Sequence, residues 1–189
     1  MKVVKLSEYG YEEAVLGFSL SYNTSIERTR EILPKYAFGK SGESKFLESM
    51  IVWIDVTAPR YLWSEMDTYR ISTKQSSSTM HTITKRELNM SDFESWIPQE
   101  TLDELNHQIK CYWNAISNDP IYNKKDIFMN IKNLLPEGFL QRRIWCFSYK
   151  TLQGIYVQRY NHRLPQWRYF LDTVLSEIKF PEFIVRPTE

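Results

Sequence analysis

Six basic side chains and nine aromatic rings fall between Gly138 and Leu171, with no Asp or Glu among them. The cations are Arg142, Arg143, Lys150, Arg159, Arg163 and Arg168. Cationic groups hold phosphate, and apolar ring faces hold a base or a flavin, so the stretch suits an anionic, planar ligand such as a nucleotide. It equally suits an aromatic core segment whose basic residues reach water along their aliphatic stems. The whole chain carries +1, so the +6 of this stretch leaves −5 on the remainder. Placement on secondary structure has to separate the two readings.

Two placements carry chemistry. Lys150–Tyr160 has the pattern of a helix on which Leu152, Ile155, Tyr156 and Arg159 share one face. An arginine on a core-facing stripe needs an anionic partner. A buried carboxylate such as Glu48 or Asp55 would serve, and so would a ligand phosphate or a base carbonyl. Arg70 opens a polar segment that leads to Ser78. An arginine and a serine at a loop mouth can hold phosphate together, although a solvated loop explains the same residues.

Much else is excluded. None of the six glycines forms a dinucleotide-binding or phosphate-loop fingerprint, and no serine elbow of GxSxG type is present. His81, His107 and His162 are too scattered to ligate a metal from one element, and Cys111 and Cys146 read as two reduced, part-buried thiols. Any hard chemistry must therefore come from an organic cofactor or from the substrate. The near-neutral charge leaves no footprint for duplex nucleic acid. No apolar run reaches membrane-spanning length, and the start MKVVKLSEYG lacks a secretory apolar region, so the reading is cytoplasmic, without membrane attachment.

At 189 residues, 42% hydrophobic, the chain reads as a single domain over residues 1–189. Met1–Leu6 and Met50–Val56 are predicted strands. Glu12–Leu20 is a predicted helix, and Ser25–Leu33 another, stopped by Pro34. Pro59 starts a helix running to about Tyr69. Arg70–Thr79 has neither periodicity, and His81–Leu88 is expected to be extended. Apolar spacing predicts helices over Thr101–Ile116, Lys124–Leu135, Lys150–Tyr160 and Pro165–Ile178, with a strand favoured for Phe139–Tyr149. Runs of helices around few strands, without strand–helix–strand alternation, indicate an α+β fold.

Two segments together carry a resemblance. Ala58-Pro59, then Thr68-Tyr69-Arg70, then Ser78 eight residues after Arg70, resembles the signature region of flavin-dependent thymidylate synthases. There a helix leads to Arg-His-Arg and then, past seven residues, to Ser. Leu135-Pro136, Arg142, Trp145, Leu152, Arg159 and Gln166-Trp167 are similar to that family's C-terminal pattern, with one extra residue after Arg159. The resemblance implies a small mixed or antiparallel sheet flanked by helices, and a homotetramer with active sites shared between subunits. It also implies FAD, dUMP as the pyrimidine nucleotide that accepts a one-carbon unit, methylene-tetrahydrofolate as donor and NADPH as reductant. The compact length suits a phage-like member.

Carried over residue by residue, the resemblance puts Arg70, Lys150 and Ser148 at the flavin, and Ser78, Lys132 and Arg159 at dUMP. Arg159 and Ser78 take the catalytic positions, Arg159 helping to polarise the pyrimidine. Lys132 and Lys150 stand where the family has arginines, and Ser148 and Gly154 where it has asparagines. Glu48 falls near a family carboxylate that precedes the strand. The departures are concentrated: Thr68 and Tyr69 replace the first Arg and the His of the triplet, Glu65 a Gln, Ser76 an acid, Met80-His81 an Arg-Tyr, and Arg168 a Glu. Losing several charge-assisted contacts, each worth roughly 1.5–3 kcal/mol, predicts altered or lost activity. Three readings follow: a divergent one-carbon transferase, a catalytically inactive descendant that binds a nucleotide or a protein partner, or an unrelated α+β domain. For the second, Tyr149, Tyr156, Tyr160 and Trp167 are candidate interface aromatics.

Overall fold

Strand β1 (Lys2–Tyr9) turns into helix α1 (Tyr11–Tyr22) through Gly10, whose φ of 94° only glycine adopts without strain. A Cβ there would also lie 2.2 Å from the Ser49 carbonyl oxygen. The computed structural model describes residues 1–39, 42–115 and 123–186. These divide into two compact units. A sheet unit comprises Lys2–Val56, Met66–Gln75 and the chain from Arg143 onward; a helical unit comprises Met1, Thr57–Glu65 and Ser76–Arg142.

The remaining strands are β2 (Ile51–Pro59), β3 (Ser72–Ser76) and β4 (Leu140–Ser148). They pair in the antiparallel order β1–β2–β4–β3. The fold is α+β, as its pattern of elements predicts. In β2, Val52, Ile54, Val56 and Ala58 are fully buried at every second position, the period a pleated strand imposes. Register follows from two bonds: Tyr149 N donates to Met50 O at 2.8 Å, and Arg60 N donates to Phe139 O at 3.1 Å. Both β2 and β4 pass from one unit to the other, at Val56–Thr57 and at Arg142–Arg143.

In the sheet unit, α2 (Ile26–Tyr36) is N-capped by Ser25, which accepts from Arg28 N at 3.2 Å. It runs through Pro34 rather than stopping there. A proline so near the end forfeits only its own N–H, and Ala37 N closes the helix on Pro34 O. A 3-10 segment, Glu43–Glu48, sends Phe46 and Leu47 inward. Helices α7 (Tyr149–Arg159) and α8 (Pro165–Glu177) bury Leu152, Ile155, Trp167, Phe170, Leu171 and Val174, with Pro165 in the first turn of α8. Trp145 stacks on Phe170 at 5.6 Å. Trp145, Phe147, Tyr149, Trp167 and Phe170 are thus core, so these rings of the basic stretch are those of an aromatic core segment. Tyr149 and Trp167 leave the set of interface aromatics for the same reason.

The segment Arg70–Thr79, expected to be irregular, contains β3. Its residues are polar on both faces, so it carries no hydrophobic alternation to read.

The helical unit holds α3 (Arg60–Met66, ending at the division), α4 (Thr79–Thr82), α5 (Gln99–Asn114) and α6 (Lys124–Leu134). Leu102, Leu105 and Ile109 of α5 pack with Ile127 and Ile131 of α6 around Ile83, Leu88 and Phe93. Those three hold α5 to the core; Trp113 is exposed and donates to Thr84 O at 2.6 Å, and Ile116, the predicted end of the helix, lies outside the described residues. The expected extended segment from His81 begins instead with the turn of α4. There Ser78 O accepts from both His81 N and Thr82 Oγ1.

Candidate functional site

Arg159 ends α7 half-buried, and its Nε donates to the Tyr69 hydroxyl at 3.0 Å. Tyr69 in turn donates to Gln158 Oε1 at 3.0 Å. The guanidinium lies 5.4 Å from the Trp167 ring centroid, and Tyr69 meets the same ring edge-on at 6.0 Å. Backbone and side chain of Tyr69 are both held. Its carbonyl accepts from Ser72 Oγ at 2.6 Å and from Lys74 Nζ at 3.2 Å. Sequence reasoning marked Arg159 but missed Tyr69 as its neighbour, because the two are 90 positions apart.

Lys74 was missed as well. Its ammonium sits 4.9 Å from the Trp145 centroid and 3.8 Å from Asp67, which Arg143 Nη1 also engages at 2.9 Å. Burial pulls the Lys74 ammonium below the usual lysine range; Asp67 opposes this and Arg143 reinforces it. The one sequence signal available was a lysine placed among polar β3 residues, which reads as solvated.

Lys150, in the first turn of α7, donates to Ser44 Oγ at 2.8 Å and Gln153 Oε1 at 3.1 Å. Gln153 is buried and fully committed: its Nε2 donates to Ala37 O at 2.9 Å and Phe183 O at 3.0 Å, which turns its oxygen toward Lys150. Among the described residues Lys150 makes no ion pair, so its charge is held by neutral acceptors alone. It lines a cleft of about 440 Å³ with Ser148, Thr151, Cys146 and Glu48, and a second of about 330 Å³ with Phe38, Gly154 and Arg186. Glu48 is exposed, which corrects its expectation as a buried carboxylate. Ser148 is the N-cap of α7, accepting from Thr151 N at 3.1 Å. Arg70 is exposed and, among the described residues, has no ion pair.

In the helical unit, Ser78 precedes α4, and Lys132 of α6 donates to Thr79 Oγ1. Burial, then the Arg60 guanidinium, hold the Lys132 ammonium below the usual lysine range. Arg60 itself donates to Leu135 O at 3.1 Å and pairs with Glu137 at 3.2 Å. The six candidate residues therefore fall into two sets: Ser78 and Lys132 in the helical unit, and Arg70, Ser148, Lys150 and Arg159 in the sheet unit. Among the described residues no group of three or more His, Cys, Asp and Glu is placed to hold a metal ion, and no helix is long and apolar enough to cross a membrane.

No family model matches the sequence, nor does any curated protein. Solved structures do. The flavin-dependent thymidylate synthase ThyX from Helicobacter pylori, complexed with FAD and dUMP, superposes with a TM-score of 0.73 at 13% identity. The match covers 97% of this chain and 98% of that one. The fold is that of a flavin-dependent thymidylate synthase. A second structure of thymidylate synthase X from the same organism, with FAD and dUMP, gives a TM-score of 0.74 at 14% identity, over 97% of each chain. At this identity the likeness shows the fold, shared over almost the whole length.

Proposed function

We propose that this chain is a divergent member of the flavin-dependent thymidylate synthases, a cytoplasmic homotetramer that transfers a one-carbon unit to a pyrimidine nucleotide such as dUMP. The observation that carries this reading is the near end-to-end match to two structures of one enzyme, both with FAD and dUMP. The donor set in the sheet unit fits an anionic flavin nucleotide. Lys150 is a half-buried cation beside two clefts with only neutral partners among the described residues, and Arg70 is an exposed cation without an ion pair. Arg70 and Lys150 would hold the FAD phosphates, with Ser148 at the wall of the larger cleft. When bound, FAD supplies hydride chemistry, with methylene-tetrahydrofolate as carbon donor and NADPH as reductant.

The chain's own residues supply binding and polarisation. Lys132 presents a point charge to the nucleotide phosphate, without the two-pronged geometry of an arginine. Ser78 offers a hydroxyl to the nucleotide. Arg159 would serve the pyrimidine carbonyl, where a fixed cation stabilises charge as it develops on the ring.

The test is direct. The purified protein should carry a flavin absorption band, or gain one on incubation with FAD. It should bind dUMP with an affinity that drops on Arg159→Ala or Ser78→Ala, by at least about tenfold for a charge-assisted contact. A folded protein that stays colourless with added FAD and takes up no dUMP overturns the reading. The alternative, a catalytically inactive descendant with a protein partner, draws support from Val157 and Ile71, which are 77% and 86% exposed in the sheet unit. Native mass spectra showing only an FAD-loaded homotetramer would remove it.

A further inference from the structure

Tyr69 stands where the family triplet has histidine, and its geometry gives it a task. The hydroxyl hydrogen is spent on Gln158 Oε1, which leaves a lone pair facing Arg159 Nε. The ring is wedged edge-on against Trp167, and the backbone carbonyl is clamped by Ser72 and Lys74. Lys74 is itself fixed between the Trp145 ring and Asp67. A tyrosine held at both ends is a rigid acceptor. An arginine bound through Nε loses rotation about its last side-chain bonds, so the plane of its guanidinium is set before any ligand arrives.

We propose that Tyr69 is a positioning residue that fixes the Arg159 guanidinium for a pyrimidine nucleotide, replacing by a neutral acceptor the family histidine at that position. The proposal rests on the nucleotide reading above. It also explains why that departure need not abolish binding: the cation at the pyrimidine is retained and pre-oriented.

The test separates the proposal from the reading beneath it. In ¹⁵N-labelled protein, the Arg159 Nε–H signal, assigned by its loss in Arg159→Lys, should exchange with water at least about tenfold more slowly than that of exposed Arg70. Tyr69→Phe keeps the ring against Trp167 and removes only the hydroxyl. It should speed Arg159 exchange several-fold while leaving the other arginine signals and the melting temperature nearly unchanged. It should also weaken dUMP binding by about tenfold, read by calorimetry. The double variant Tyr69→Phe/Arg159→Lys should bind no more weakly than Arg159→Lys alone, since one residue acts through the other. Unchanged Arg159 exchange in Tyr69→Phe overturns the proposal, as does a dUMP affinity equal to that of the unaltered protein. If the unaltered protein binds no dUMP at all, the nucleotide reading falls, and with it the role proposed for Tyr69, even where the exchange result shows the bond itself.

Discussion

Tyr149 shows how one hydroxyl can tie distant segments together. Its side chain is buried and donates to Glu8; the same oxygen accepts from Phe180 N at 3.3 Å, and Glu8 also accepts from Lys179 N at 3.0 Å. Burial, and then the Glu8 carboxylate, hold the phenol above its ordinary range. A phenol that keeps its proton longer folded than unfolded contributes stability at and below neutral pH, and that contribution is lost as pH rises above about 10, where the unfolded chain ionises first. Tyr149→Phe should therefore cost about 1–2 kcal/mol at pH 7 in urea denaturation, and should flatten the alkaline loss of stability seen in the unaltered protein. Lys150 and Arg159 were legible at this scale because composition exposes a stretch with six cations and no acid, whereas Arg70 showed by its place at a loop mouth and Lys132 only by the family resemblance. Their partners were not. Tyr69 with Arg159, and Asp67 with Arg143, meet across 90 and 76 positions, and nothing in local spacing encodes such pairs.

Among elements, legibility followed hydrophobic periodicity. α5, α6, α8 and β2 each bury a regular set of side chains, and each was placed within a few residues. β3 and α4 were missed because the first is polar on both faces and the second is a single turn held by the Ser78 carbonyl. Caps and junctions give two sharp expectations. Ser148→Ala should lower stability by about 1 kcal/mol through the lost N-cap of α7, while Ser148→Asp should retain it. If FAD binding survives in Ser148→Asp yet fails in Ser148→Ala, the serine serves through the helix it caps. Gly10→Ala combines a left-handed backbone with a contact to the rigid Ser49 carbonyl. It should cost more than about 2 kcal/mol, seen as a large fall in melting temperature or as insoluble expression.

For the molecule as a whole, charge is segregated along the chain, with +6 on the stretch from Gly138 to Leu171 and −5 elsewhere. A ligand drawn to that stretch as an anion should bind less well in salt. Raising NaCl from about 50 to 500 mM should weaken dUMP several-fold, whereas an affinity indifferent to salt would point to contacts that are not ionic. The resemblance in sequence rested on two short segments, yet the thymidylate synthase fold extends over 97% of the chain. One bond made at the start of the chain has a consequence for its synthesis. Lys5 N donates to Glu177 Oε2 at 2.6 Å, across 172 positions, and Glu8 holds Lys179. The first strand thus waits on the ribosome for residues translated after β2, β3 and β4, its partners in the sheet. Until Glu177 and Lys179 arrive it is a sheet edge without these ties, the stage at which a chaperone would find this protein.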